Sequence, residues 1–188
     1  MLELAFKLSF PAKKRELLVA LEFKKGDKII YPNHGIGIIE DVITTTIAGL
    51  EQSLYRMKIY SNESTVMVPV GNIGEVGLRP IASKKEVDKL FRFLRDGSID
   101  TYGDWKGRYQ ENSEKMRTGS ITEVAAVYKN LMLLSQHKPL SYRERKMLDR
   151  ARYLIVSEVA LVADSTEESV EKRLDRAVNV SIKSAMSS

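Results

Sequence analysis

The chain has 188 residues, of which 43% are hydrophobic and 29% charged, the balance of a soluble globular protein with one large or two small domains. It has no cysteine, which excludes disulfides, thiolate metal sites and cysteine nucleophiles and fits a reducing, cytoplasmic setting. No apolar run approaches the ~18 residues of a membrane span, and the net charge of +5 with pI near 9.3 favours an acidic partner.

Residues 1–22 read as an unassigned N-terminal extension. Lys7, Pro11 and Lys13-Lys14-Arg15 break its hydrophobic character and make it a poor signal peptide. Lys13 to Glu22 fits a short amphipathic helix carrying Leu17, Leu18 and Leu21. From Phe23 the pattern takes a strand period. Asp27 to Tyr31 ends in the turn Pro32-Asn33-His34-Gly35, and Ile36 to Ile43 continues as a strand with Gly37 marking a bend or bulge. Thr44 to Ile47 leads to a turn at Ala48-Gly49. Leu54 to Tyr60 alternates, and Thr65 to Val70 follows the turn Ser61–Ser64, with Pro69 suited to an edge position. Closely linked short strands over residues 23–82 predict a small Tudor- or SH3-like β-barrel.

The chain from 83 to about 180 reads as a compact all-α domain of about five helices, so the whole is a two-domain α+β protein. Ser83-x-x-Glu86, Ser120-x-x-Glu123, Ser141-x-x-Glu144 and Ser165-x-x-Glu168 all match the capping box. Gly97 and Gly119 suit left-handed helix ends. The helices fall near 84–96, 104–118, 121–136, 142–163 and 166–178, and 181–188 is expected to be a disordered tail. Leu90, Phe91 and Leu94, then Val124, Val127, Tyr128, Leu131 and Leu134, then Leu148, Leu154, Ile155, Val159 and Val162 form apolar stripes that belong to the core.

The chemistry concentrates around Thr101–Tyr109, which holds the only tryptophan. Asp104 is a good N-cap, which puts Trp105 at the tip of a helix, flanked by Lys106 and Arg108. An apolar plate ringed by cations can wedge a base step while gripping phosphates, whereas a structural Trp105 would staple the helix to a neighbour. Between Asp104 and Arg152, eleven Lys and Arg face six acids, an excess equal to the net charge of the whole chain. His34 and His137 are isolated and predict neither a metal site nor a catalytic pair. Gly35-x-Gly37 lacks the following Gly-Lys-Ser/Thr of a phosphate loop and reads as a turn. With no nucleophile and base in a recognisable pairing, no enzyme activity, cofactor or small-molecule substrate is expected.

Several strings resemble the CarD/CdnL family of bacterial transcription regulators: Phe23-Lys-Lys-Gly-Asp-Lys-Ile-Ile-Tyr-Pro32 with His34-Gly35, and Val76-Gly-Leu-Arg79. Further on come Trp105-x-x-Arg-Tyr109, Glu114-Lys115-Met116 with Gly119, and Leu140-Ser-x-x-Glu-Arg-Lys-Met-Leu148 with Ala151-Arg152. The likeness covers roughly 23–178, and its N-terminal block is shared with transcription-repair coupling factors. It implies a barrel, 23–82, that binds the RNA polymerase β subunit by edge-strand pairing over Thr65, Val66, Met67, Val68 and Pro69, with Thr45 nearby on the same surface. It also implies a helical domain, 83–180, that binds promoter DNA at the upstream edge of the transcription bubble. Trp105 matches the minor-groove wedge that prolongs the open complex, Arg108, Arg145 and Arg150 match basic family positions near the phosphate backbone, and Lys106, Lys146 and Arg152 complete the candidate DNA-binding set. Some relatives carry arginines where this chain has Thr45 and Met67, so those ion pairs are expected to be missing. The rival reading is a protein-interaction module that does not touch DNA.

Overall fold

The computed structural model describes residues 23–47, 49–96 and 105–186. The expected helix in 1–22, the cap at Asp104 and the helix end at Gly97 lie outside them. The period-2 stretches form strands β1 Lys28–Tyr31, β2 Gly35–Ile47, β3 Leu50–Ile59, β4 Thr65–Pro69 and the two-residue β5 Arg79–Pro80. Alternate residues Ile29, Ile39, Tyr55, Met57 and Val68 face one side and bury with Phe23, Ile73 and Leu78. A 3₁₀ turn, Val70–Asn72, and one turn of helix, α1 Ile73–Val76, carry the chain from β4 back to β5.

The strands do not close into the expected barrel. All neighbours are antiparallel in the order β4-β3-β2-β1-β5, which leaves β4 and β5 as the two edges among the described residues. β5 is too short to build a long ladder, Pro80 has no amide proton to give it, and Pro69 ends β4 in the same way. The bulge also sits elsewhere than expected. Register shifts between Ile39 and Asp41, whereas Gly37 stays in register opposite Ile59. A Cβ on Gly37 would stand 3.1 Å from the carbonyl of Lys58 and 3.1 Å from the Ile59 side chain, so its role is close approach of β3.

Five longer helices follow: α2 Lys84–Asp96, α3 Trp105–Arg117, α4 Ile121–His137, α5 Tyr142–Ala163 and α6 Glu167–Met186. Their shared core includes Leu90, Leu94, Val127, Leu131, Ile155 and Val159. The capping boxes at Ser83/Glu86 and Ser141/Glu144 form in both directions, and Ser120 accepts from the Glu123 amide. The fourth is displaced by one residue. Asp164 takes the left-handed conformation that ends α5 and the Ser165 amide donates back to Ala160, so Thr166 caps α6 by accepting from Ser169. α6 also continues beyond 180, where a tail was expected. Val170, Leu174, Val178 and Ile182 recur every four residues as one buried stripe, which carries the helix past that point. No helix of the described residues is long and apolar enough to cross a membrane.

Candidate functional site

The first candidate surface is the edge of β4, which is free among the described residues. The Ile59 amide donates to the Ser64 carbonyl at 2.9 Å, and β3–β4 pairing then runs from Lys58↔Thr65 to Leu54↔Pro69. In an antiparallel ladder every second residue turns its amide and carbonyl to the partner strand. Val66 and Val68 therefore face β3 through their backbones, and Thr65 and Met67 present theirs outward. Val68 is buried and Met67 is 53% exposed. Arg56 stands directly opposite Met67, held at 3.6 Å from Glu40 and 3.7 Å from Asp41. Thr45 pairs with Gln52, beyond the end of the β3–β4 ladder. It shares the sheet face of Met67 but sits on the projecting β2–β3 hairpin, away from the edge itself.

The basic candidates divide by what they touch. Trp105 and Lys106 open α3, and their side chains lie outside the described residues. Arg108 is buried with its guanidinium 3.7 Å from Glu144. Burial pushes the Glu144 carboxyl up, but hydrogen bonds from Ser141 and the charges of Arg108 and Lys138 outweigh it and hold the group below its ordinary value. Arg152 reaches Asp175 at 2.9 Å and Glu171 at 3.4 Å, across α5 and α6. Asp175 also accepts from the Tyr128 hydroxyl at 3.1 Å, and burial together with that carboxylate drives the phenol far above its usual range. Arg150 gives its Nε to the carbonyl of Asn33 at 2.6 Å and lies over the Tyr153 ring. Arg145 and Lys146 are exposed and have no carboxylate partner among the described residues. Lys146 lies 4.8 Å over the ring of Tyr142, which is 72% exposed.

Lys146, but not Arg145, lines a groove between α3 and the start of α5 together with Arg117, Arg143, Tyr109 and Tyr142, and Asn33 of the β1–β2 turn and Arg150 line it too. Sequence reasoning missed Arg117, Arg143, Tyr109 and Tyr142. The spacing Tyr142-Arg143-x-x-Lys146 at a predicted helix start was the available signal, since positions three and four apart are neighbours on a helix surface.

It also missed what fixes the sheet to the helices. Glu158 of α5 accepts from Arg79 at 2.6 and 2.7 Å and from the Ala82 amide at 2.8 Å, and Arg79 donates its Nε to the carbonyl of Gly119 at 2.6 Å. Pro32 packs against Gly77 and Gly119, both at positive φ, where a Cβ would come within 3.1 and 3.0 Å of its ring. A carboxylate among Ile155, Val156, Val159 and Ala160 was the legible clue, because a buried charge must be paired. Among the described residues no cluster of His, Asp or Glu is placed to hold a metal.

Two family models match the chain: a CarD-like/TRCF RID domain over residues 23–82 and a CarD C-terminal domain over residues 89–175. A curated Bacillus subtilis (strain 168) protein described as the putative transcription factor YdeB is 33% identical over 149 residues, which cover 79% of this chain and 97% of that protein.

Proposed function

The chain belongs to the CarD/CdnL family of transcription regulators, and from that premise we propose that it binds the RNA polymerase β subunit along β4 and stabilises the promoter open complex through its helical domain. The observation that carries the proposal is the β4 edge, which no strand of the described residues pairs and which offers the Thr65 and Met67 backbones to an incoming strand. Arg56, opposite Met67, supplies a guanidinium on the face where some relatives carry one on β4. At the other end, Trp105 wedges the minor groove at the upstream bubble edge, and Lys106, Arg145 and Lys146 neutralise phosphates. Arg108, Arg150 and Arg152 hold this surface in shape through Glu144, Asn33 and Asp175.

That last assignment also favours a second reading, polymerase binding without DNA contact, because three of the basic candidates are engaged inside the chain. One substitution separates the two. Trp105→Ala should shorten the lifetime of open promoter complexes while leaving polymerase binding and melting temperature nearly unchanged. An unaltered lifetime sinks the wedge. A fall in stability of about 3–5 kcal/mol makes Trp105 a buried structural ring instead.

A further inference from the structure

The groove between α3 and α5 has a composition that a duplex-binding surface does not need. Arg117, Arg143, Lys146 and Arg150 line it together with Tyr109 and Tyr142, and among the described residues no acidic side chain does. It is open and encloses about 380 Å³. Arg143 lies 6.0 Å over the Tyr109 ring and Lys146 lies 4.8 Å over that of Tyr142, so each ring is paired with a cation. Arg117, Arg143 and Lys146 have no carboxylate partner among the described residues. Tyr142 is the most exposed of the large apolar or aromatic side chains described, at 72%. A ring left in water beside a cation has no part in the core, and none of the described residues covers it.

Cations tracking a groove, with an aromatic ring exposed among them, are what single-stranded nucleic acid requires. Its phosphates need charge, and its unpaired bases offer faces on which an aromatic ring can stack. In a duplex those faces are already occupied by neighbouring bases. Position matters too, since Tyr109 stands four residues after Trp105 on α3, a rise of about 6 Å at 1.5 Å per residue. A strand parting from a duplex held at the start of α3 would enter the groove within about one helical turn.

We propose that this groove is a binding site for single-stranded nucleic acid, with Tyr142 stacking on a base and Arg117, Arg143 and Lys146 holding the adjacent phosphates. The inference rests on the wedge reading for its biological setting but not for its chemistry. Recognition is by stacking and charge, so it carries no sequence code.

The test uses the full chain, a fluorescein-labelled twelve-nucleotide oligothymidine and a duplex of equal length, read by anisotropy at two salt concentrations. Tyr142→Ala should weaken oligothymidine binding at least fivefold and leave duplex binding within twofold, and Tyr142→Phe should retain the wild-type affinity. The Arg117→Ala/Arg143→Ala double variant should flatten the oligothymidine salt slope by about 0.7 for each phosphate that is no longer neutralised. Unchanged melting temperatures show that these surface changes leave the fold intact. Equal losses on both probes from Tyr142→Ala, or none on oligothymidine, overturn the proposal, as does displacement of the strand by polyglutamate of equal charge with Tyr142→Ala silent. Failure here with a shortened open-complex lifetime in Trp105→Ala removes the groove and leaves the wedge. A normal lifetime with stacking intact does the reverse.

Discussion

Arg79 and Glu158, 79 residues apart, meet through two parallel hydrogen bonds of 2.6 and 2.7 Å, and this one pair ties the last strand of the sheet to the C-terminal part of α5. Glu158 is 3% exposed, and it also satisfies the amide of Ala82 at the entrance to α2. Its removal strands a guanidinium and a buried donor at once. Glu158→Ala should destabilise the protein by about 3 kcal/mol, toward the lower end for a broken buried pair because Arg79 keeps some access to water. Chemical denaturation measures this, and a change below about 1 kcal/mol would show the pair to be dispensable.

Arg145 and Arg152 are near neighbours on α5 with opposite expected phenotypes. Arg145→Ala should reduce the salt slope of duplex binding by about 0.9 and leave the melting temperature unchanged. Arg152→Ala should leave that slope alone and lower stability by about 1–2 kcal/mol, since it unpairs Asp175 and Glu171 at a half-buried site. A salt slope altered by Arg152→Ala would return that residue to the nucleic-acid surface.

Met67→Pro isolates the outward backbone of β4. The amide at 67 makes no ladder bond to β3, and Val66 before it is already extended, so proline fits there without dismantling the sheet. Polymerase β binding in a pull-down should fall at least tenfold with little change in melting temperature. Val68→Pro, at a position facing β3, should unfold the sheet instead. Polymerase binding by Met67→Pro at full strength would move the contact away from this edge.

Acid should reveal the helix caps. Glu86 is held below its ordinary value chiefly by the Ser83 amide and hydroxyl, and Glu144 ends up below its own despite burial, through Ser141 and Arg108. A carboxylate with a depressed folded pKa stabilises above its unfolded value near 4.5. That stability is lost as pH falls through the folded pKa. Melting temperature should therefore be flat near neutrality and decline below about pH 4.5. A Glu86→Gln/Glu144→Gln variant should start lower and decline less steeply. Parallel curves for the two proteins would exclude the caps as its source.

Local rules were the legible part of this chain. Three of four serine caps, the hairpin turns at Asn33-His34 and Asn62-Glu63, and the helix end at Gly119 follow from residues that satisfy neighbouring backbone groups. Where a rule depends on a distant partner the reading fell short. Sheet closure needed β4 to meet β5, and nothing in either strand's own pattern reports that they remain apart. Arg108, Arg150 and Arg152 had the same status in the sequence as Arg145 and Lys146, because a cation shows its charge but not its partner. Their anchors, Glu144, Asn33 and Asp175, sit on other elements or a neighbouring turn. Tyr142 was hidden for the opposite reason. As an aromatic at a helix start it reads as a staple, and only its exposure sets it apart.

α5 is a single uninterrupted helix that reaches the groove at Lys146 and the sheet at Glu158. Twelve residues of helix make about 18 Å, and each residue added or removed turns one end about 100° against the other. The span therefore sets a phase as well as a length. Inserting one alanine between these points would leave both ends chemically whole and aim them in different directions, so a longer or shorter α5 could not be grafted in from a related protein except by nearly whole turns.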